Sequence, residues 1–243
     1  MKNAYLTIDD GPSVNRREKV DILNKYGIQA VWFCMGIDIE NRWEDALYTI
    51  QQGHIIGNHS YNHPNFSEIS LEQCYEEITE TDKLIEKLYK ESKVQRPAKY
   101  FRFPFGNEGV NHPFYEFNYT AEERERVDSI QKVLMDMGYE KFKFGNISYQ
   151  YYSKKDETGN IDWLWTYDAM EWCVFQEKPP YGVTSLDDVL ELMDIDWPER
   201  WMGLNNQKSD EIIVVHDHPE TSHMFEAIIK GFLDKGVSFK KYI

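Results

Sequence analysis

Two adjacent carboxylates, Asp9 and Asp10, end an apolar run near the start of the chain, in the stretch YLTIDDGPS. Each negative charge raises the cost of ionising the other, so the pair needs either water or a positive partner. Gly11 and Pro12 follow at once and break the backbone. Taken alone, the stretch is typical of a surface turn or a helix N-cap, where Asp-Gly is common. The alternative is a site that holds a cation.

A second candidate is the pair His59 and His63 in HSYNHP. Histidines four residues apart lie on one face of a helical turn, and that geometry chelates metals. By itself the pair also fits solvated or core histidines. A carboxylate from a converging strand would complete a His–His–Asp set, which suits Zn²⁺ or a similar transition metal. The other acid of the Asp9–Asp10 pair could then take a proton from the metal-bound water as general base.

Two further polar residues adjoin apolar runs. Arg102 lies among aromatic residues in YFRFPFG, and a buried Arg needs an acid partner. That partner is either the base carboxylate, which Arg102 would orient, or a purely structural acid. His216 ends the run IIVVH and could be a general acid tuned by a nearby carboxylate, or a histidine that caps the sheet. His218 is a rival for the acid role, because strand alternation puts it on the same side.

The elements that must position these residues alternate between strand-like and helix-like segments over the whole chain. Ser70 with Gln73, and Thr120 with Glu123, predict capping boxes that begin two helices. The segments FKFGNISY and IDWLWTYD predict two strands around a polar turn, KKDETGN. This alternation without a break in composition predicts one α/β domain on a mainly parallel sheet. Seven or eight such units favour a (β/α) barrel over an open sheet.

Barrels of this kind place their chemistry after the carboxyl ends of the strands. The candidate residues follow five predicted strands that are distant in sequence, which makes chance a weak explanation. They are Asp9 and Asp10, His59, Arg102, Asp168 with Glu171, and His216.

Composition excludes several functions. The 243 residues carry a formal net charge of -15, which opposes nucleic-acid binding and favours a neutral substrate. No apolar run reaches the roughly 18 residues of a membrane span. Cys34, Cys74 and Cys173 form no metal or disulfide pattern, and packed thiols are expected. The first residues contain no export signal, so we expect a cytoplasmic protein, or an exported one whose signal has been removed.

Five segments, in this order, resemble the five motifs of the polysaccharide deacetylases, the family-four carbohydrate esterases with a chitooligosaccharide deacetylase homology domain. They are TIDDGPS, HSYNHP, RFPFG, DAMEW and VVHDHP, and they extend over nearly the whole chain. The resemblance implies a distorted, TIM-barrel-like (β/α) barrel with about seven parallel strands. It also implies one divalent transition metal, with Zn²⁺ the first choice and Co²⁺, Ni²⁺ or Mn²⁺ as alternatives.

The resemblance assigns roles to the first three motifs. Asp10, His59 and His63 would bind the metal, Asp9 would be the general base, and Arg102 would hold Asp9 in place. The family usually has FDDG where this chain has IDDG, and RxPYG where this chain has RFPFG. The second change removes a phenol but keeps the backbone N–H, which would help the metal to stabilise the oxyanion.

That backbone N–H belongs to Phe105, and His216 would be the general acid. The reaction implied is attack of a metal-bound water on an N-acetyl or O-acetyl carbonyl, which releases acetate. In DAMEW, Glu171 replaces the Asp that tunes the acid in the family, so both Asp168 and Glu171 remain candidates for that partner.

The segment 107–166 is longer than expected for the family and is rich in Tyr and Trp, which could stack on sugars or simply pack over the barrel. The leading hypothesis is a hydrolase of linear amides that removes acetyl groups from an amino-sugar oligomer or polymer. An amidohydrolase of a small non-sugar amide or imide is the first alternative. A carbohydrate-binding protein without catalysis is the second, although such a protein would not need the proton-transfer groups.

Overall fold

The strands form one parallel sheet. The structure, a computed structural model, describes residues 2–113, 115–195, 203–205 and 208–242. Within them the strands run β3-β2-β1-β5-β4, and β6 pairs with the first residues of β1. Their bounds are β1 Lys2–Asp9, β2 Ala30–Cys34, β3 Ile55–Asn58, β4 Tyr167–Asp168, β5 Glu211–His216 and β6 Val237–Phe239.

Helices cover the sheet and connect its strands. Both predicted capping boxes are confirmed, at Ser70 with Gln73 and at Thr120 with Glu123. None of the helices in the described ranges combines the length and apolarity of a transmembrane segment. The helix bounds are α1 Arg16–Lys25, α2 Gly36–Asn41, α3 Trp43–Gln51, α4 Leu71–Ser92, α5 Ala121–Asp136, α6 Gln150–Glu157, α7 Leu186–Leu192 and α8 Phe225–Asp234.

Strand β1 is the centre of the sheet and sets the level at which its neighbours end. The last residue of β1, Asp9, lies opposite Phe33 of β2 on one side and His216 of β5 on the other. Strand β2 is buried at every position, as its apolar sequence AVWFC requires of a strand covered on both faces. Because all these strands are parallel, their carboxyl ends meet at one edge of the sheet.

Beyond β3 the sheet continues through isolated backbone hydrogen bonds. Asn58 forms a parallel bridge with Phe101, and the N–H of Trp163 donates to the carbonyl of Phe101 at 2.8 Å. The N–H of Thr166 in turn donates to the carbonyl of Ile212 in β5 at 2.9 Å. The fold is therefore a distorted (β/α) barrel whose side between β3 and β4 is held by isolated backbone hydrogen bonds. This confirms the predicted fold class, although the predicted strand in KYFRFPFG is reduced to one bridge.

Two predictions in the segment 107–166 are wrong. FKFGNISY forms no strand, because Phe142 and Phe144 bury their rings against Tyr5 and Trp163 instead of pairing their backbones with the sheet. Four residues of the predicted turn KKDETGN belong to helix α6. The strand predicted over IDWLWTYD is limited to its last two residues, which form β4. That this segment is an insertion stays a prediction.

A buried ion cluster joins the elements of segment 107–166. The ammonium of Lys155 in α6 contacts the carboxylates of Glu108 and Asp162, the latter at 2.8 Å. Gln131 of α5 also donates to Asp162, at 2.7 Å. Lys155 is fully buried, and the pKa of its ammonium is raised, because the attraction of Asp162 and Glu108 outweighs burial. One cation thus offsets two buried acids and ties α5 and α6 to the chain leading into β4.

Removing that cation should destabilise the protein. We expect Lys155→Met to lower the free energy of unfolding by about 3–5 kcal/mol, because two buried carboxylates lose their counter-charge. Urea denaturation measures the change. The matched control is Lys132→Met, which removes an exposed pair with Asp136 and should have a much smaller effect. Equal losses in the two variants would contradict a structural role for the cluster.

Candidate active site

The carboxyl ends of the strands surround a cavity of about 970 Å³. The lining includes seven residues proposed from the sequence, which are Asp9, Asp10, His59, His63, Phe105, Asp168 and His216. Two more of the predicted residues, Arg102 and Glu171, lie behind the cavity wall and contact residues that line it. Residues from five separate parts of the chain therefore meet at one place.

A left-handed turn at the end of β1 sends the two adjacent carboxylates in different directions. Asp10 and Gly11 both have positive φ, at 69° and 64°. Asp tolerates this conformation better than most residues do, and Gly adopts it freely. A Cβ on Gly11 would also lie only 2.3 Å from the carboxylate of Asp217. The Asp-Asp-Gly sequence is thus the one this turn needs.

The carboxylate of Asp9 meets the guanidinium of Arg102. An Nη1–H of Arg102 donates to Asp9 Oδ1 at 2.6 Å and to Thr7 Oγ1 at 2.8 Å. Arg102 is fully buried, with its guanidinium 4.4 Å from the ring centre of Phe33. The acid partner expected for Arg102 is therefore Asp9, which keeps Oδ2 turned toward the cavity side, 3.9 Å from His59 Nε2.

Asp10, His59 and His63 form a set of donors that fits a metal ion. Asp10 Oδ1 is buried without a hydrogen-bond partner among the described residues, and it lies 3.6 Å from His59 Nε2 and 3.3 Å from His63 Nε2. The Nδ1–H of His59 donates to the carbonyl of Arg102 at 2.8 Å, which leaves the lone pair of Nε2 facing Asp10. One oxygen and two imidazole nitrogens that converge in this way are ligands that Zn²⁺ prefers.

The route to this geometry differs from the expectation. His59 and His63 are not on a helical turn, because Ser60 and His63 both have positive φ, at 67° and 59°. Burial and the neighbouring His59 lower the pKa of His63 to about 4, so its imidazole is neutral, as a metal ligand must be. Burial alone would raise the pKa of Asp10, but the hydrogen bond from His218 and the nearby histidines lower it instead.

On the opposite wall, Glu171 is the acid that contacts His216. Glu171 Oε1 lies 3.3 Å from His216 Nδ1 and accepts the backbone N–H of the same residue. Asp168 instead accepts the backbone N–H of Met170 at 2.7 Å and the indole N–H of Trp172 at 3.2 Å. Burial lowers the pKa of His216, but the charge of Glu171 outweighs burial and raises it to about 10. Burial raises the pKa of Asp168 to about 6.

Two residues of the final motif have contacts that sequence reasoning did not assign. Asp217 is fully buried and binds Arg16 Nε at 2.6 Å and Lys19 Nζ at 2.8 Å. It also accepts the N–H of Ser13, so it fastens the turn after β1 to the end of β5. His218, considered only as a rival acid, places Nε2 2.7 Å from Asp10 Oδ2. The available signal was the alternation of side chains in HDHP, which places Asp217 on the opposite side of the chain from His216 and His218.

Aromatic side chains form part of the cavity rim. Phe105 and Tyr181 line the cavity with 62% and 50% of their surface exposed. Each is the middle residue of a short Pro-aromatic-Gly 3₁₀ turn, and each has a left-handed backbone, with φ of 57° and 58°. Such strained backbone at a cavity is typical of sites that present a side chain to a ligand. The ring of Phe105 also packs against that of His63, with centroids 4.6 Å apart.

Comparison with known proteins agrees with the motifs. A family model described as polysaccharide deacetylase matches residues 1–111. A peptidoglycan-N-acetylglucosamine deacetylase of Bacillus cereus is 25% identical over 99% of this chain and 69% of its own length. The next curated relatives match over shorter stretches, which cover 35% and 21% of their length.

Solved structures share the fold. The polysaccharide deacetylase Bc1974 from Bacillus cereus aligns with all of this chain and 93% of its own, with a TM-score of 0.64 at 23% identity. BA3943 of Bacillus anthracis, described as a family-four carbohydrate esterase pseudoenzyme, aligns with 98% of this chain and 63% of its own. Its TM-score is 0.61 at 18% identity, so this fold occurs both in a deacetylase and in a protein described as a pseudoenzyme.

Replacement of Glu171 should change the titration of His216. The folded-state pKa of about 10 lies above the ordinary 6.5, so the interaction stabilises the fold below pH 6.5 and is lost as the pH rises through 10. We expect Glu171→Gln to lower the pKa of His216, measured by NMR titration of its imidazole. Asp168→Asn is the matched control and should lower it less, because the charge of Asp168 acts on the ring without a hydrogen bond to it. A larger effect of Asp168→Asn would contradict this assignment.

Proposed function

We propose, because this chain belongs to the polysaccharide deacetylase family, that it is a metal-dependent hydrolase that removes acetyl groups from an amino-sugar chain. One observation carries the proposal. The three candidate metal donors, the Asp9–Arg102 pair and the His216–Glu171 pair all border one cavity. A protein that only bound sugars would need neither the donors nor the two proton-transfer pairs.

The metal would be held by Asp10 Oδ1, His59 Nε2 and His63 Nε2, the atoms that already converge. When bound, a divalent ion of the zinc type supplies a Lewis acid that polarises an acetyl carbonyl and lowers the pKa of water. The chain's own contribution is to turn both imidazoles inward, and burial keeps that of His63 neutral. The hydrogen bond from His59 Nδ1–H to the carbonyl of Arg102 orients the other ring.

Asp9 is the proposed general base. Its Oδ1 is held by Arg102, whereas Oδ2 lies toward His59 and the metal donors, where the attacking water would sit. A proton taken up at Oδ2 would be close to the donors without displacing the ion pair on Oδ1. Arg102 is a positioning residue in this scheme, since its charge fixes the orientation of the base.

His216 is the proposed general acid. Glu171 lies against Nδ1, so the proton available to a leaving amine is the one on Nε2. The raised pKa of His216 keeps the imidazole protonated at neutral pH, which is the form that an acid needs. The backbone N–H of Phe105, on the cavity rim, is the proposed donor to the oxyanion that forms between attack and departure of the amine.

The rim supports a sugar substrate. Half-exposed rings such as Phe105 and Tyr181 offer flat apolar faces, which stack on the C–H faces of pyranose rings. The net charge of -15 favours a neutral chain over a polyanion. Together with the Bacillus cereus relative, these features favour N-acetylglucosamine oligomers or polymers, with O-acetylated sugars as the alternative.

Removal of the base should separate catalysis from metal binding. We expect Asp9→Asn to lower turnover about 10²–10⁴-fold, the usual contribution of a general base, while zinc stoichiometry is retained. Acetate release and metal analysis measure the two effects. His59→Ala is the contrasting variant and should lose both metal and activity. Comparable activity in Asp9→Asn, or full zinc in His59→Ala, would refute these roles.

The substrate class can be tested with the unmodified protein. Acetate release should be fastest from N-acetylglucosamine oligomers, slower from acetylated xylan, and slowest from small non-sugar amides that cannot contact the rim. Tyr181→Ala should raise KM for the oligomers and leave the rate on small amides unchanged. Faster turnover of small amides or imides by the unmodified protein would favour the amidohydrolase alternative.

A further inference from the structure

We infer that His218 is a positioning residue for Asp10, and that it makes Oδ1 alone available to the metal. The inference rests on the proposed metal site, and it assigns a role to a residue that lies outside the base, acid and ligand set. Its basis is that the two oxygens of the Asp10 carboxylate have different neighbours. His218 Nε2 lies 2.7 Å from Asp10 Oδ2, whereas Oδ1 faces His59 and His63.

The direction of this hydrogen bond follows from the charge of Asp10. An ionised carboxylate can only accept a hydrogen bond, and Asp10 Oδ2 lies within hydrogen-bond distance of His218 Nε2. The proton therefore lies on His218 Nε2, and that nitrogen has no lone pair to offer a metal. The same contact removes His218 as a rival for the acid role, because its Nε2–H is directed at Asp10 and not at the open cavity.

The ring of His218 packs against two neighbouring rings. It stacks on the ring of His216, with centroids 5.5 Å apart and planes at 24°, and it makes an edge-to-face contact with Phe175 at 5.1 Å. Its backbone carbonyl accepts from Lys19 Nζ at 3.0 Å and from Ser222 Oγ at 3.1 Å. A donor fixed in this way loses little conformational freedom when it holds a carboxylate.

The effect on the metal site is orientation. A carboxylate free to rotate presents either oxygen, or both, and spends part of its time with neither toward the histidines. With Oδ2 held by His218, Oδ1 stays 3.3–3.6 Å from the two imidazole nitrogens. Partners of this kind, which hold a ligand from behind, typically change metal affinity 10–100-fold when they are removed.

The test is the zinc affinity of the metal-stripped 243-residue chain, measured by competition with a chromophoric chelator. His218→Phe keeps a ring between His216 and Phe175 but removes the donor, and we expect it to bind Zn²⁺ about 10–100-fold more weakly. His218→Gln places an amide N–H near the position of Nε2 and should recover most of the affinity. His223→Phe, at an exposed position in the same loop, is the control and should bind as the unmodified protein does.

Each outcome has one meaning. Unchanged affinity in His218→Phe, or equal weakening in His218→Gln, would overturn the positioning role. Circular dichroism melts establish that the variants are folded, so a loss of affinity reports on the site. An unmodified protein that binds no Zn²⁺ would overturn the metal site and this inference with it. Normal zinc results without acetate release from any substrate would refute only the proposed reaction.

Discussion

Two negative charges on neighbouring residues at the end of the central strand are the constraint around which the cavity is arranged. The left-handed turn at Asp10 and Gly11 separates the carboxylates, and each then meets its own partner. Arg102 donates a hydrogen bond to Asp9, and His218, just after the end of β5, forms a hydrogen bond with Asp10. These two partners follow the bridge at Phe101 and strand β5, so the order of the sheet determines which side chains reach the two carboxylates.

Much of the site could be predicted because its residues stand out from apolar surroundings. A charged residue such as Arg102, placed between aromatic neighbours, needs a partner, and Asp9 proved to be that partner. The choice between Glu171 and Asp168 could not be made from spacing, since the two are three residues apart in a tight turn. The fold of this turn puts Glu171 against His216 and turns Asp168 toward Met170 and Trp172.

The fold could be predicted where the sequence of a single helix or strand is enough to specify that element. Helices α4 and α5 have a periodic apolar face and a capping box, and both begin where the sequence places them. The strand predictions in the segment 142–168 were largely wrong, because its aromatic side chains pack ring against ring. Such packing leaves the same alternating apolar pattern in the sequence as a strand does. The roles of Asp217 and His218 were missed for a different reason. Their partners lie about 200 residues away, and the alternation in HDHP indicates the side on which each residue lies but not what it contacts.

The central position of β1 governs the order in which the site assembles during synthesis. One edge of β1 can pair with β2 as soon as residues 30–34 emerge, and the three candidate metal donors all lie at or before residue 63. The other edge of β1 cannot pair until β5 emerges, and β5 begins only at Glu211. Until residues 211–216 emerge, that side of β1 is an unpaired apolar strand edge, which is a template for pairing with other chains. The growing chain thus holds Asp10, His59 and His63, the candidate metal donors, long before it holds His216, the proposed acid.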